Sequence, residues 1–96
     1  MLIRVVRMTF REDKTEDFLD IFKNSCAKIR GMQGCTHLEL LQDANEPNVY
    51  STYSIWNSED DLNNYRRSEL FGVVWKQTKA LFAAPPVAQS YKKVAV

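Results

Sequence analysis

The chain has no apolar run long enough to cross a bilayer, no excess of either charge, a single histidine and only two cysteines. Each shortage excludes something. A transmembrane helix needs about 20 consecutive apolar residues, so no membrane association is expected. Thirteen basic against twelve acidic side chains, spread along the chain for a net charge of +1, leave no electrostatic footprint for nucleic acid. Cys26 and Cys35 lie outside C-x-x-C spacing, and with His37 alone they cannot complete a structural zinc site. They read as reduced, half-buried thiols. No nucleotide-binding or metal motif is visible. Met1 leads directly into a strand pattern without a charged start and a small-residue cleavage site, which predicts a cytoplasmic protein.

What is present is a chain of 96 residues, 45% hydrophobic with eleven aromatics, too apolar for disorder. It suits one small domain, residues 1–96, that buries roughly 60–65% of its unfolded surface. Leu2 to Phe10 alternates as a strand, with Leu2, Val6, Met8 and Phe10 on one face and Ile3, Val5 and Thr9 on the other. Arg4 and Arg7 interrupt the two faces separately; Arg4 reads as a pocket-rim residue or as an anion-stabilising one. Asp13 with Glu16, or Thr15 alone, can begin a helix over Thr15–Arg30. Its apolar stripe is Phe18, Ile21, Phe22, Ser25, Cys26 and Ile29, and Gly31 can end it.

Gly34 opens a second strand that runs to about Asp43. Here Thr36, Leu38 and Leu40 share one face, and Cys35, His37, Glu39 and Leu41 the other. His37 reads either as a base suited to neutral pH or as a strand histidine bonded to Glu39. After a turn over Ala44–Pro47, Asn48 to Trp56 forms a third strand, in which Val49, Ser51, Tyr53 and Ile55 alternate with Tyr50, Thr52, Ser54 and Trp56; its mixture of large aromatics and small hydroxyls could line a cavity. Ser58 and Asp61 resemble a capping box for a short helix with Leu62 and Tyr65 inward. Ser68 and Glu69 begin another, with Phe71, Val74, Trp75, Thr78 and Phe82 on one face and Pro85–Pro86 as its stop. Val87 to Val94 closes the chain as a strand.

The order strand, helix, strand, strand, helix, strand predicts an α+β, ferredoxin-like βαββαβ fold: a four-stranded antiparallel sheet with helices on one face. Ile3, Val5, Leu38, Leu40 and their neighbours are too apolar for the helices to account for both faces. A symmetric homodimer is therefore expected.

RGMQGCTHLELLQD followed by EPNVYSTYSIWNSEDDLNNYRRSELF resembles the antibiotic biosynthesis monooxygenase family, small dimeric α/β-barrel proteins that include quinol monooxygenases and haem-degrading enzymes. The landmarks are Gly34-Cys35, Trp56 followed by Ser58 and Glu59, and Ser68 with Phe71. The resemblance covers nearly the whole chain. It implies a pocket between the sheet and the second helical region, and an oxygenase without metal or flavin that acts on a quinol or an aromatic polyketide-like molecule. Trp56, Tyr65, Phe71, Trp75, Val6 and Arg4 are then the expected substrate-binding residues, with Tyr65 and His37 as catalytic candidates. Many family members carry a histidine nine residues after the tryptophan matching Trp56, and this chain has Tyr65 there. Arg66 or Arg4 could activate that tyrosine by lowering its pKa; as an alternative, it donates a hydrogen bond to substrate. The positions matching the haem-degrading branch are Val6, Tyr65 and Trp75. None keeps the required residue, which excludes haem degradation. The loss of the histidine leaves a second reading, a non-catalytic dimeric binding or assembly module of the same fold.

Overall fold

In the computed structural model, which describes residues Met1–Val96, the alternating segment Leu2–Thr9 forms the strand β1 at the interior of the sheet. A 3₁₀ turn, Glu12–Lys14, leads into α1 (Thr15–Arg30). There follow β2 (Cys35–Gln42), β3 (Val49–Trp56), α2 (Glu59–Arg66), α3 (Glu69–Lys79) and β4 (Val87–Tyr91). The sheet order is β2-β3-β1-β4 with every pair antiparallel. This is the expected ferredoxin-like arrangement. No helix is long and apolar enough to cross a membrane.

Local chemistry explains most boundaries. The Ser58 Oγ accepts from the Asp61 backbone amide at 3.1 Å, and the Ser68 Oγ from that of Phe71 at 3.1 Å, so each hydroxyl caps an otherwise unpaired helical N–H. The Asp61 carboxylate does not complete a capping box; it accepts from the Ser58 hydroxyl at 3.1 Å. α1 starts without a side-chain cap, the 3₁₀ turn standing where Asp13 or Thr15 was expected to act. Gly34 has φ +84°, and a Cβ there would lie 2.3 Å from Asp61. Only glycine fits a left-handed backbone packed so close to the α2 start.

Four further expectations are corrected. α3 ends at Lys79 rather than at the proline pair. The chain is drawn off the helix by bonds to the end of β1: Arg11 N–H to Leu81 O at 3.0 Å, Ala83 N–H to Thr9 O at 2.8 Å, and the Arg11 guanidinium to Ala80 O at 2.8 Å. β4 ends at Tyr91, opposite Ile3, because β1 has almost no residues left for a longer strand to pair with. A register shift between Cys35 and His37 turns Cys35 to the helix side, where it packs with Leu2, Trp56 and Leu62. Leu38 and Leu40 also face the helices, the first lining a cavity and the second packing against the core of Met8, Phe10, Phe18 and Tyr50. They do not contribute to the uncovered face.

That uncovered face is nevertheless apolar. Ile3, Val5, Tyr53 and Ile55 lie partly exposed at its centre, with Leu41, Val87 and Tyr91 exposed toward its edges. Arg7 crosses its end and pairs with Glu46 at 3.1 Å and Asp43 at 3.9 Å. Asp43 also organises the β2–β3 turn, its Oδ2 accepting from the amides of Asn45 and Glu46 at 3.0 Å each. Those two amides, with Arg7 nearby, hold its carboxyl below the usual range.

Candidate functional site

Side-chain size along the strands leaves the space between sheet and helices hollow. On the helix side of β3 the row is Tyr50, Thr52, Ser54, Trp56, large at both ends and small in the middle. On β1 the facing row includes Met8, Val6, Arg4 and Leu2, and β4 adds only Ala88 and Ser90 opposite Val6 and Arg4. The bulky ends make two separate cores. Met8, Phe10, Phe18 and Tyr50 close one end, and Leu2, Trp56 and Leu62 close the other. Between them lies a cavity of about 300 Å³, lined from above by residues of α1, α2 and α3.

An aromatic chain walls this cavity. Trp56 stacks on Tyr65 at 5.1 Å between ring centroids, Tyr65 meets Phe71 edge-on at 5.3 Å, and Phe71 stacks on Trp75 at 5.8 Å. Trp75 then meets Phe82 at 5.6 Å, and Phe82 continues to Phe10 in the packed core at 5.4 Å. Offset and edge-on pairs of this kind add to the burial energy of each ring and hold the wall in one shape.

The polar groups in the lining divide by whether they are already engaged. Ser25 and Thr78 donate to the carbonyls of Ile21 and Val74 on their own helices, both at 2.7 Å. Ser54 accepts from Trp56 Nε1 at 3.0 Å and donates to Arg4 O at 3.4 Å. Trp56, 1% exposed, therefore offers only its ring to the cavity. Thr52 and Tyr65 have no hydrogen-bond partner for their hydroxyls, and Arg4 and Arg66 have no carboxylate partner. No His, Asp, Glu or Cys lines the cavity. The lining therefore holds no metal-ligand set and no side chain that titrates as a base near neutral pH.

Tyr65 departs from the activated tyrosine that the sequence allowed. Burial pushes its hydroxyl up to about 12, with the Cys35 thiol adding in the same direction. Neither Arg4 nor Arg66 lowers it. At neutral pH it is a hydrogen-bond donor and acceptor, not a base.

Of the residues singled out from sequence, Trp56, Tyr65, Phe71, Trp75, Val6 and Arg4 all line this one cavity. His37 does not join them. It sits on the uncovered face, its Nε2 3.2 Å from Glu39 Oε1 and its ring edge-on to Tyr53 at 5.9 Å. β2 alternates, so the face that brings Leu38 into the cavity turns His37 away. Arg66 is the lining residue that sequence reading undervalued. Its signal was its place directly after Tyr65, on the same turn of α2.

The sequence profile of a family described as antibiotic biosynthesis monooxygenase matches residues 1–77. Among solved structures, one of an antibiotic biosynthesis monooxygenase superposes with a TM-score of 0.93 at 16% identity, covering 99% of this chain and all of its own. A conserved protein of Methanosarcina mazei Go1 gives 0.91 at 20% identity, over 98% of this chain and 94% of its own. A Mycobacterium tuberculosis protein gives 0.90 at 16%, over 99% and 96%. At these identities the likeness is one of fold. No functionally curated protein matches the chain in sequence.

Proposed function

This chain belongs to the antibiotic biosynthesis monooxygenase family, and from that membership we propose that it oxygenates an electron-rich aromatic molecule, a quinol, phenol or anthrone, in the cavity between sheet and helices. The observation that carries the reading is the lining: an aromatic wall around about 300 Å³, with only Thr52, Tyr65, Arg4 and Arg66 free to make polar contacts. That volume sits at the lower end of small-molecule sites and suits two or three fused rings.

The chemistry asks little of the protein. A deprotonated quinol or enol passes one electron to O2, and the resulting carbon radical and superoxide combine as a peroxide on carbon. Loss of the remaining hydrogen on that carbon, with departure of the outer oxygen as water, leaves a carbonyl. For an anthrone, one methylene and one O2 thus become one carbonyl and one water; for a quinol or phenol a ring C–H and a hydroxyl proton are lost in its place, giving a quinone and water, and neither case needs an outside reductant. The protein binds the ring, excludes bulk water and stabilises negative charge on the substrate oxygen. Tyr65 donates a hydrogen bond to that oxygen, and the two guanidiniums favour the ionised substrate electrostatically.

In the same reading two copies associate through their uncovered sheet faces, with Val5, Tyr53 and Ile55 at the centre of a symmetric contact. Such an apolar sheet face is costly to leave in water.

The test is oxygen uptake by purified, chelator-treated protein with a panel of quinols, anthrones and phenols. Turnover above the uncatalysed rate, with one oxygen atom of O2 in the product, is expected for at least one class. No turnover with any of them removes the oxygenase reading. One observation favours a non-catalytic binding module instead: Tyr65 stays protonated where many relatives have a histidine. The open cavity supports ligand binding over a purely assembling role.

A further inference from the structure

Next to the aromatic cavity lies a second hollow, of about 360 Å³, and the two share Arg4, Leu62 and Arg66 as a common rim. Its character is different. Beyond the shared rim it is lined by Lys92, Asn63 and Ser90, with Glu59 as its one carboxylate. Three cations thus face one acid, and none of Arg4, Arg66, Lys92 or Glu59 takes part in an ion pair. Arg4 is half-buried, and its one side-chain hydrogen bond goes to a neutral acceptor, Ser90 Oγ at 3.0 Å. An unpaired, half-buried guanidinium with a second one beside it is costly in the free protein, and an anion removes that cost.

We propose that Arg4 and Arg66 form an anion clamp at the boundary of the two hollows, and that the substrate is an aromatic acid whose carboxylate stands next to the oxidisable phenol. The inference rests on the reading of the aromatic cavity as the substrate site. The ring enters between the sheet and the Trp56–Tyr65–Phe71–Trp75 wall, and the carboxylate stays at the rim toward the polar hollow. A guanidinium presents paired N–H donors that match the two oxygens of a carboxylate. Burial of Arg4, with the charge of Arg66 second, weakens its hold on its proton, and a bound anion acts in the opposite sense.

Quenching of tryptophan fluorescence by 1-hydroxy-2-naphthoate and by 1-naphthol, which share a ring and differ in the carboxylate, tests this. The wild type is expected to bind the acid about tenfold or more tightly than the naphthol, as charge-assisted hydrogen bonds warrant. Arg4→Gln and Arg66→Gln each reduce that preference, and the double variant abolishes it. Because Arg66 is exposed, Arg66→Gln stays interpretable if Arg4→Gln disturbs folding. The preference also falls on raising ionic strength from about 0.05 to about 0.5 M. Equal binding of both compounds, or a preference that survives in the double variant, overturns the clamp and leaves the aromatic site standing. Binding of neither removes the aromatic site itself and the clamp with it.

Discussion

Strand β1 carries one arginine on each face, and the two are treated differently. Arg7, on the uncovered face, reaches Glu46 and Asp43 at the end of the β2–β3 turn. Arg4, on the helix side, reaches only a serine hydroxyl and faces a cavity with no carboxylate in its lining. The same contrast extends over the sheet. One face is bulky at its ends and hollow at its centre; the other is apolar at its centre, with Arg7, His37 and Glu39 around it, and no helix covers it. A charge paired within its own surface contributes to the fold, whereas one held half-buried without a partner is available to something that binds.

The comparison breaks most visibly if the uncovered face proves inert. Val5→Asp puts a charge at the centre of the proposed dimer contact and is expected to weaken self-association by about a thousandfold, as desolvation of an unpaired carboxylate requires. Sedimentation of wild type and variant checks it; a wild type that stays monomeric and folded at low micromolar concentration contradicts the dimer. Next in size is the covered face. Trp56→Ala empties a fully buried site and is expected to cost about 3–5 kcal/mol in denaturant unfolding.

A smaller effect sharpens the role of Tyr65. Its folded pKa is raised from 10.0 to about 12, so the native state holds the phenolic proton more tightly than the unfolded chain does. The contribution of this group is intact below about pH 10 and is lost as pH rises from there toward about 12. Tyr65→Phe is therefore expected to lose less stability than wild type across that window; identical alkaline profiles contradict a buried, protonated Tyr65. The smallest effect belongs to Arg7. Arg7→Ala is expected to cost at most about 1 kcal/mol, as exposed ion pairs do, and to leave binding of aromatic acids unchanged.

Much of this was legible in the residues. The stripe from Phe18 to Ile29 fixes α1 and its inward face, and Ser58 and Ser68 mark two helix starts that their hydroxyls do cap. The mixture of large aromatics and small hydroxyls along β3 already suggested a cavity, but not which of its two faces lines it. What escaped depends on contacts between distant segments. The early end of α3 comes from bonds to Thr9 and Arg11, which no local stop signal encodes. The turn of Cys35 to the helix side comes from a bulge that strand alternation cannot anticipate. Likewise, the sequence offers Arg4 and Arg66 separately, as alternative cations for Tyr65; that they share the rim of two hollows follows only from the fold. The pKa of Tyr65 follows from how deeply the fold buries it, and that reverses the activation its arginine neighbours suggested.

The most direct measurement of the central claim is a crystal structure of the protein with 1-hydroxy-2-naphthoate. The fused rings are expected between Val6 and Thr52 on the sheet and Phe71 and Trp75 on α3, with the Tyr65 hydroxyl on the phenol oxygen and the carboxylate at Arg4 and Arg66. A cavity left empty or filled by rotation of Trp75, with the ligand on the uncovered sheet face, would contradict it.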